Sequence, residues 1–299
     1  MSLIGGHRTV LLHESLELLA LRPDDAVVDA TLGGAGHAKE IMRVLGTKGI
    51  FLGIDADADA IARAKDASKG AVAKIVFEQG NFRFLGSYLG KHGILKITKA
   101  LFDLGWSGFQ LTAGRGFSFM HDEPLLMTYS DAPRTDMTAA TIVNSWKEES
   151  LSDIIWGWGE ERYSRRIAKA IVEARKEKRI ISSGQLAAIV KNAVPYTYAH
   201  GRTHPATKTF QAIRIAVNDE MGALKDGLRA AWEHMAPGGR LAVITFHSIE
   251  DREVKNLMRE WVHAGDGESL TRSPLAPSEE EVARNPRSRS AKLRVIRKL

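Results

Sequence analysis

Short apolar runs alternate with helix-length amphipathic stretches over the first hundred residues. Residues 26–30, Ala-Val-Val-Asp-Ala, read as a buried strand, residues 38–45 as a helix, and residues 49–55 as a second strand. A helix over 58–68, a third strand over 75–77 and a fourth over Ile97–Asp103 complete the run. Strands this evenly apolar are covered on both faces, and the βαβα order predicts an α/β fold with a parallel sheet. From 110 to about 205 the rhythm stops. A polar loop spans 112–136, and Ile167, Ile171 and Ala174 recur at helical spacing within 160–179. Ser183–Ala193 forms another helix, capped by Ser182 or Ser183. A long helix is then expected over 210–235, broken by Pro237-Gly238-Gly239, followed by a buried strand over 240–246 and an edge strand over 291–297. The predicted core is therefore discontinuous, residues 1–108 with 206–299, and residues 109–205 form a helical insertion.

Composition narrows the chemistry. The 299 residues include no cysteine, which excludes disulfides, thiolate catalysis and Cys-ligated metals. No run of 18 apolar residues spans a membrane, and the N-terminus lacks a secretory apolar region, so a cytoplasmic protein is expected. The formal charge of +6 favours a polyanionic partner, nucleic acid foremost.

A nucleotide-type site is legible at the first strand's end. Gly33, Gly34, Ala35, Gly36 and His37 follow the strand and precede a helix, where small residues let a ligand approach the backbone. Asp55 closes the second strand 22 positions after Gly33, near the ~20 expected of a carboxylate that holds ribose hydroxyls. The pattern lacks the last glycine of a pyrophosphate turn, and no Walker loop is present. S-adenosylmethionine, which has no phosphate, fits better than a dinucleotide. Phe82 follows the third strand, either stacking on an adenine or packing in the core. Asp103 ends the fourth strand, at the rim where open α/β sheets hold ligands.

More specific segments run in order along the chain. They are His7-Arg8-Thr9-Val10-Leu11-Leu12-His13-Glu14, residues 29–37, Asp103-Leu104-Gly105-Trp106-Ser107-Gly108-Phe109-Gln110-Leu111, Arg115-Gly116-Phe117-Ser118-Phe119, residues 204–215, Val217-Asn218-Asp219-Glu220, residues 246–252, and Pro286-Arg287-Ser288-Arg289 onward to Arg294. In this order they resemble the bacterial 16S ribosomal RNA (cytosine-N4)-methyltransferase family, RsmH or MraW, from His7 to Arg294. The resemblance implies a Rossmann-like class I S-adenosylmethionine methyltransferase core with an inserted all-helical domain that recognises the substrate. It implies S-adenosyl-L-methionine as donor, held by Ala35, Gly36, His37, Asp55, Phe82, Asp103 and Gln110, and a cytidine of the decoding region as acceptor. The implied partner is 16S ribosomal RNA or the small ribosomal subunit; a homodimer is left open. The chain departs from the family at Ala35, at Gly108 and over Leu126-Met127-Thr128-Tyr129, which leaves the acceptor contacts open.

Methyl transfer to an exocyclic amine needs orientation and hydrogen-bond acceptors for N4–H more than a strong base. Asp103 and Ser107, with a backbone carbonyl of Leu104 or Gly105, are the candidates. Trp106, Phe109, Phe117 and Phe119 are candidate stacking surfaces for a flipped base. The cluster His247, Glu250 and Asp251 lacks metal-ligand spacing and reads as a cap and loop beside the site, so no metal is expected. Arg287 and Arg289 lead a C-terminal run of basic residues, from Arg284 to Lys298, that contains no acid and is expected to contact phosphates. The rival readings are an RNA-binding ribosome-assembly factor with a weak enzymatic core and a methyltransferase acting on DNA or protein.

Overall fold

The computed structural model describes residues 8–105, 114–129 and 137–299. The chain divides into two compact units, residues 1–107 with 221–299, and residues 108–220.

The first unit is built on a seven-stranded sheet: β1 (Ala26–Asp29), β2 (Ile50–Asp55), β3 (Lys74–Gln79), β4 (Ile97–Asp103), β5 (Met235–Thr245), β6 (Gly267–Ser269) and β7 (Lys292–Lys298). The order is β3-β2-β1-β4-β5-β7-β6. Strands β1 to β5 pair in parallel, and β7 and β6 add antiparallel. Helices α1 (Leu12–Leu19), α2 (Gly36–Val44), α3 (Ala58–Ala67) and α4 (Leu85–Lys91) follow in the first part of the chain. Two more belong to the second part, α11 (Glu220–His234) and α12 (Ser248–His263).

Strand periodicity sorts the core into two layers. Val28, Leu52, Ala100 and Val243 face α4, α11 and α12, while Val27, Phe51, Leu101 and Ala242 face α1, α2 and α3. Both faces are covered, which is why these strands read as continuous apolar runs. Two expectations need correction. The strand over 291–297 is not at the edge: β7 lies between β5 and the short β6. The helix over 210–235 is two helices, because Asp219 turns left-handed at φ 45° and ends the first.

The second unit carries α5 (Ala139–Ser145), α6 (Glu148–Gly157), α7 (Ser164–Glu177), α8 (Ser183–Ala193), α9 (Tyr196–Ala199) and α10 (Ala206–Asn218). Its core joins Ile142, Leu151, Ile155, Ile167, Ile171, Leu186, Val190 and Ile213. Ser182 caps α8 in a reciprocal capping box with Gln185. Helix α10, expected with the core unit, packs here through Phe210, Ala212 and Ile213, so the unit extends to 220 rather than 205.

A polar lock holds residues 127–129 to the end of α10. Arg214 and Glu220 form a buried two-point ion pair, with Nε to Oε1 at 2.8 Å and Nη2 to Oε2 at 2.9 Å. The Tyr129 hydroxyl donates to Glu220 at 2.8 Å, and the Tyr129 N–H donates to the Asn218 side chain at 3.0 Å. Among the described residues, no helix is long and apolar enough to cross a membrane.

Candidate active site

The carboxyl ends of β1, β2 and β4 carry Asp29, Asp55 and Asp103. The order of the sheet reverses between β1 and β4, the position where open α/β sheets form a ligand crevice. After β1 the chain turns through Gly33 at φ 49° and Ala35 at φ 61°, then enters α2 at Gly36. Ala35, where the sequence resemblance expects glycine, is buried and left-handed, a conformation that costs an L-residue about 1 kcal/mol or more.

The loop is fixed from both sides. The Gly33 N–H donates to Asp55 Oδ2 at 2.9 Å, and Arg63 of α3 donates through Nε and Nη2 to the Gly33 carbonyl at 3.2 Å. The other Asp55 oxygen accepts the Asp57 N–H at 2.9 Å. Thr31 connects two of the acids: its N–H donates to Asp29 Oδ1 at 3.2 Å, and its Oγ1 accepts the Asp103 N–H at 2.6 Å. His37, on the first turn of α2, sets Nδ1 3.5 Å from Asp103 Oδ2.

Burial dominates the electrostatics. It drives the Asp29 carboxyl up to about 7, against the opposing effects of His37 and the Thr31 N–H, with Asp103 and Asp55 adding to the rise. Asp55 is likewise raised, by burial first. Burial pushes His37 down, but Asp103, Asp29 and the Val10 carbonyl outweigh it and its pKa stands above the ordinary value. Among the described residues, three buried atoms in this cluster have no hydrogen-bond partner: Asp29 Oδ2, His37 Nε2 and Asp103 Oδ1. Buried polar atoms left in this state are unusual and point to a ligand. Asp103 and Asp29 act on the His37 imidazole and Asp55 acts on Asp29, a set of acids that suits a ligand bearing positive charge better than a pyrophosphate.

Phe82 is half-buried, edge-on to Phe102 at 5.5 Å between ring centres, and packs against the core and Gly227. Of the two roles left open by the sequence, packing against the core is the one these contacts display. Gly105 just after β4 has φ 120°, and a Cβ there would meet the Phe246 ring at 2.9 Å. Only glycine fits at this point in the chain.

A family model of the MraW methylase family matches residues 5–299. The chain belongs to the MraW methylase family. Two relatives are each 43% identical to it: the ribosomal RNA small subunit methyltransferase H of Clostridioides difficile, over 98% of this chain and 99% of that one, and its namesake in Symbiobacterium thermophilum, over 98% and 96%. A solved rRNA methylase from Streptococcus thermophilus is similar at TM-score 0.46 and 11% identity, covering 97% of this chain and 98% of that one.

As an MraW-family enzyme the chain is an S-adenosylmethionine-dependent methyltransferase. The residues fit that donor's chemistry: Asp29 and Asp103 would complement its positive charges, Asp55 would meet its ribose hydroxyls, and Asp103 Oδ1, without a partner among the described residues, could accept an N–H. Gly33, Gly34, Ala35, Gly36, His37, Asp55, Phe82 and Asp103 could hold it. Trp106, Ser107, Phe109 and Gln110 lie outside the described residues.

The acceptor candidates fare unevenly. Phe117 is buried in the insertion's core and stacked on Tyr129 at 5.9 Å, so it packs rather than offering a free face. Phe119 has His204 stacked on one face at 4.4 Å and the Phe210 ring edge-to-face with it at 5.3 Å. His247 caps α12, accepting the Glu250 N–H on Nδ1 at 3.3 Å. The basic tail does have counter-charges. Lys292 and Arg294 pair with Asp251, Arg297 with Glu268 and Arg284 with Glu280. Arg287 and Arg289 are exposed, on a short 3-10 turn (Pro286–Ser290). Sequence reasoning passed over Asp29, Thr31 and Arg63. The first two stand inside the quoted segment 29–37, but their roles depend on the hydrogen bonds that Thr31 makes to Asp29 and to the distant Asp103.

Proposed function

We propose that this enzyme methylates the exocyclic N4 of a cytidine in the decoding region of 16S ribosomal RNA, with residues 108–220 as its substrate-recognition domain. Ribosomal RNA as the substrate class follows from the relatives, both called ribosomal RNA small subunit methyltransferases. The observation that carries the assignment of the site is the Asp103 carboxylate. It ends β4 with one oxygen near His37 and the other buried without a partner among the described residues.

The donor supplies an electrophilic methyl group. The protein's part is to bind, orient and exclude water. Asp55 faces the ribose, and the half-buried Phe82 stacks on the adenine. Asp103 accepts hydrogen bonds from N–H groups at the reacting end, and Ser107 with a carbonyl of Leu104 or Gly105 shares that task. Accepting from N4–H raises electron density on an amine whose lone pair is delocalised into the ring. Holding that amine about 3–3.5 Å from the methyl supplies most of the remaining advantage. The proton leaves after transfer, so no strong base is needed. Arg287 and Arg289 contact phosphates of the RNA, and His247 borders the site.

Asp103→Ala tests the assignment. The variant is expected to fold with an unchanged circular dichroism spectrum and to transfer no measurable methyl group to small ribosomal subunits. Wild-type turnover would overturn it.

A further inference from the structure

The N-terminal segment 8–11 lies across the entrance of α2, the helix that begins at Gly36. A Cβ on Gly36 would collide with Oγ1 of Thr9, so this strap and the glycine loop are in direct contact. The Val10 carbonyl bears on the His37 imidazole, raising its pKa. Leu11, fully buried, sits at φ 50°, a left-handed conformation that a leucine does not hold without support.

The support comes from 270 residues away. Glu281, half-buried on the helix α13 (Glu279–Arg284), accepts the Leu11 N–H on Oε1 at 2.9 Å. Four residues on, the Asn285 side chain donates to the Arg8 carbonyl at 3.3 Å. The C-terminal helix thus grips both ends of the strap, and the strap presses on the Gly36–His37 step.

We infer that Glu281 is a positioning residue for the methyl-donor site. By holding Leu11 in its strained conformation it seats Thr9 and Val10 on Gly36 and His37, and so keeps His37 facing Asp103. This rests on reading residues 33–37 as the donor loop. Without Glu281 the strap relaxes, the loop loses its backing, and donor affinity falls, while Asp103 stays at the end of β4, held through its N–H by Thr31.

Donor binding by calorimetry, with steady-state kinetics on small ribosomal subunits, tests it. Losing a hydrogen bond to a charged acceptor corresponds to roughly a 10-fold or greater weakening. Glu281→Ala is expected to raise both the donor Kd and the donor KM about 10-fold, with kcat within about twofold of wild type. Glu281→Gln retains a carbonyl acceptor and is expected to restore most of the affinity. A wild-type Kd in Glu281→Ala, or an equal loss in both variants, would overturn the inference. If Glu281→Ala does not fold, Asn285→Ala replaces it: a weaker donor Kd supports the strap and an unchanged one overturns it. Should the wild-type chain bind no donor at all, the donor-site reading fails instead.

Discussion

The backbone N–H of Gly33 donates to Oδ2 of Asp55 at 2.9 Å, linking the glycine loop to the carboxylate at the end of β2. One acid therefore shapes the loop and, in the proposed site, would face the donor's ribose. Asp55→Ala removes both functions. Hydrogen bonds to a charged group contribute about 1.5–3 kcal/mol, so donor Kd should rise about 10- to 150-fold. Isothermal calorimetry reads this directly, and a change below twofold would remove Asp55 from the donor site.

Asp29 makes the native state sensitive to pH. Its carboxyl ionises near 3.8 when unfolded and at about 7 when folded. Between those values the folded state holds the extra proton, so stability falls as pH rises, by up to about 1.4 kcal/mol per unit. His37, raised above its ordinary 6.5, contributes stability that is complete below that value and lost as pH climbs through its folded pKa. Asp29→Asn should flatten the decline between pH 4.5 and 7. Urea midpoints across that range check it, and parallel curves for variant and wild type would contradict it.

The Arg214–Glu220 pair holds the helical insertion's last helix to residues 127–129. Removing one partner of a buried pair leaves the other uncompensated, at a cost of about 3–5 kcal/mol. Glu220→Ala should lower the thermal midpoint by several degrees and speed proteolysis within 108–220. A loss below 1 kcal/mol would mean that the pair is dispensable.

Arg287 and Arg289 remain exposed, whereas Arg284, Lys292, Arg294 and Arg297 pair with acids. Replacing both with alanine should weaken RNA binding and reduce the slope of log K against log salt by about 1 to 2. Filter binding of 16S ribosomal RNA from 50 to 200 mM salt measures the slope, which would be unaltered if these side chains touch no phosphate.

Much of this architecture was legible because strand periodicity is local. Ile97–Asp103 and Ser183–Ala193 fall where the pattern sets them, and Ser182 supplies the expected cap. The Gly33-to-Asp55 spacing became a hydrogen bond. What stayed hidden depends on distant partners. Asp219 breaks a long amphipathic pattern by turning left-handed, and β7 gains a second neighbour from the inconspicuous Gly267–Ser269. Phe117 and Phe119 looked like stacking surfaces, yet their ring partners Tyr129, His204 and Phe210 come from other segments. Asp251 neutralises Lys292 and Arg294 from 41 and 43 positions away, a pairing invisible in a count of tail charges.

The proposed reaction is methyl transfer to cytidine N4 in 16S ribosomal RNA. Incubating small ribosomal subunits from cells lacking this enzyme with the protein and labelled S-adenosylmethionine, then sequencing the digested RNA by mass spectrometry, tests it most directly. One labelled cytidine in the decoding region, bearing the methyl on N4 and absent with Asp103→Ala, is the expected result. Label on another base, on carbon 5 of the ring, or on ribosomal protein alone would contradict it.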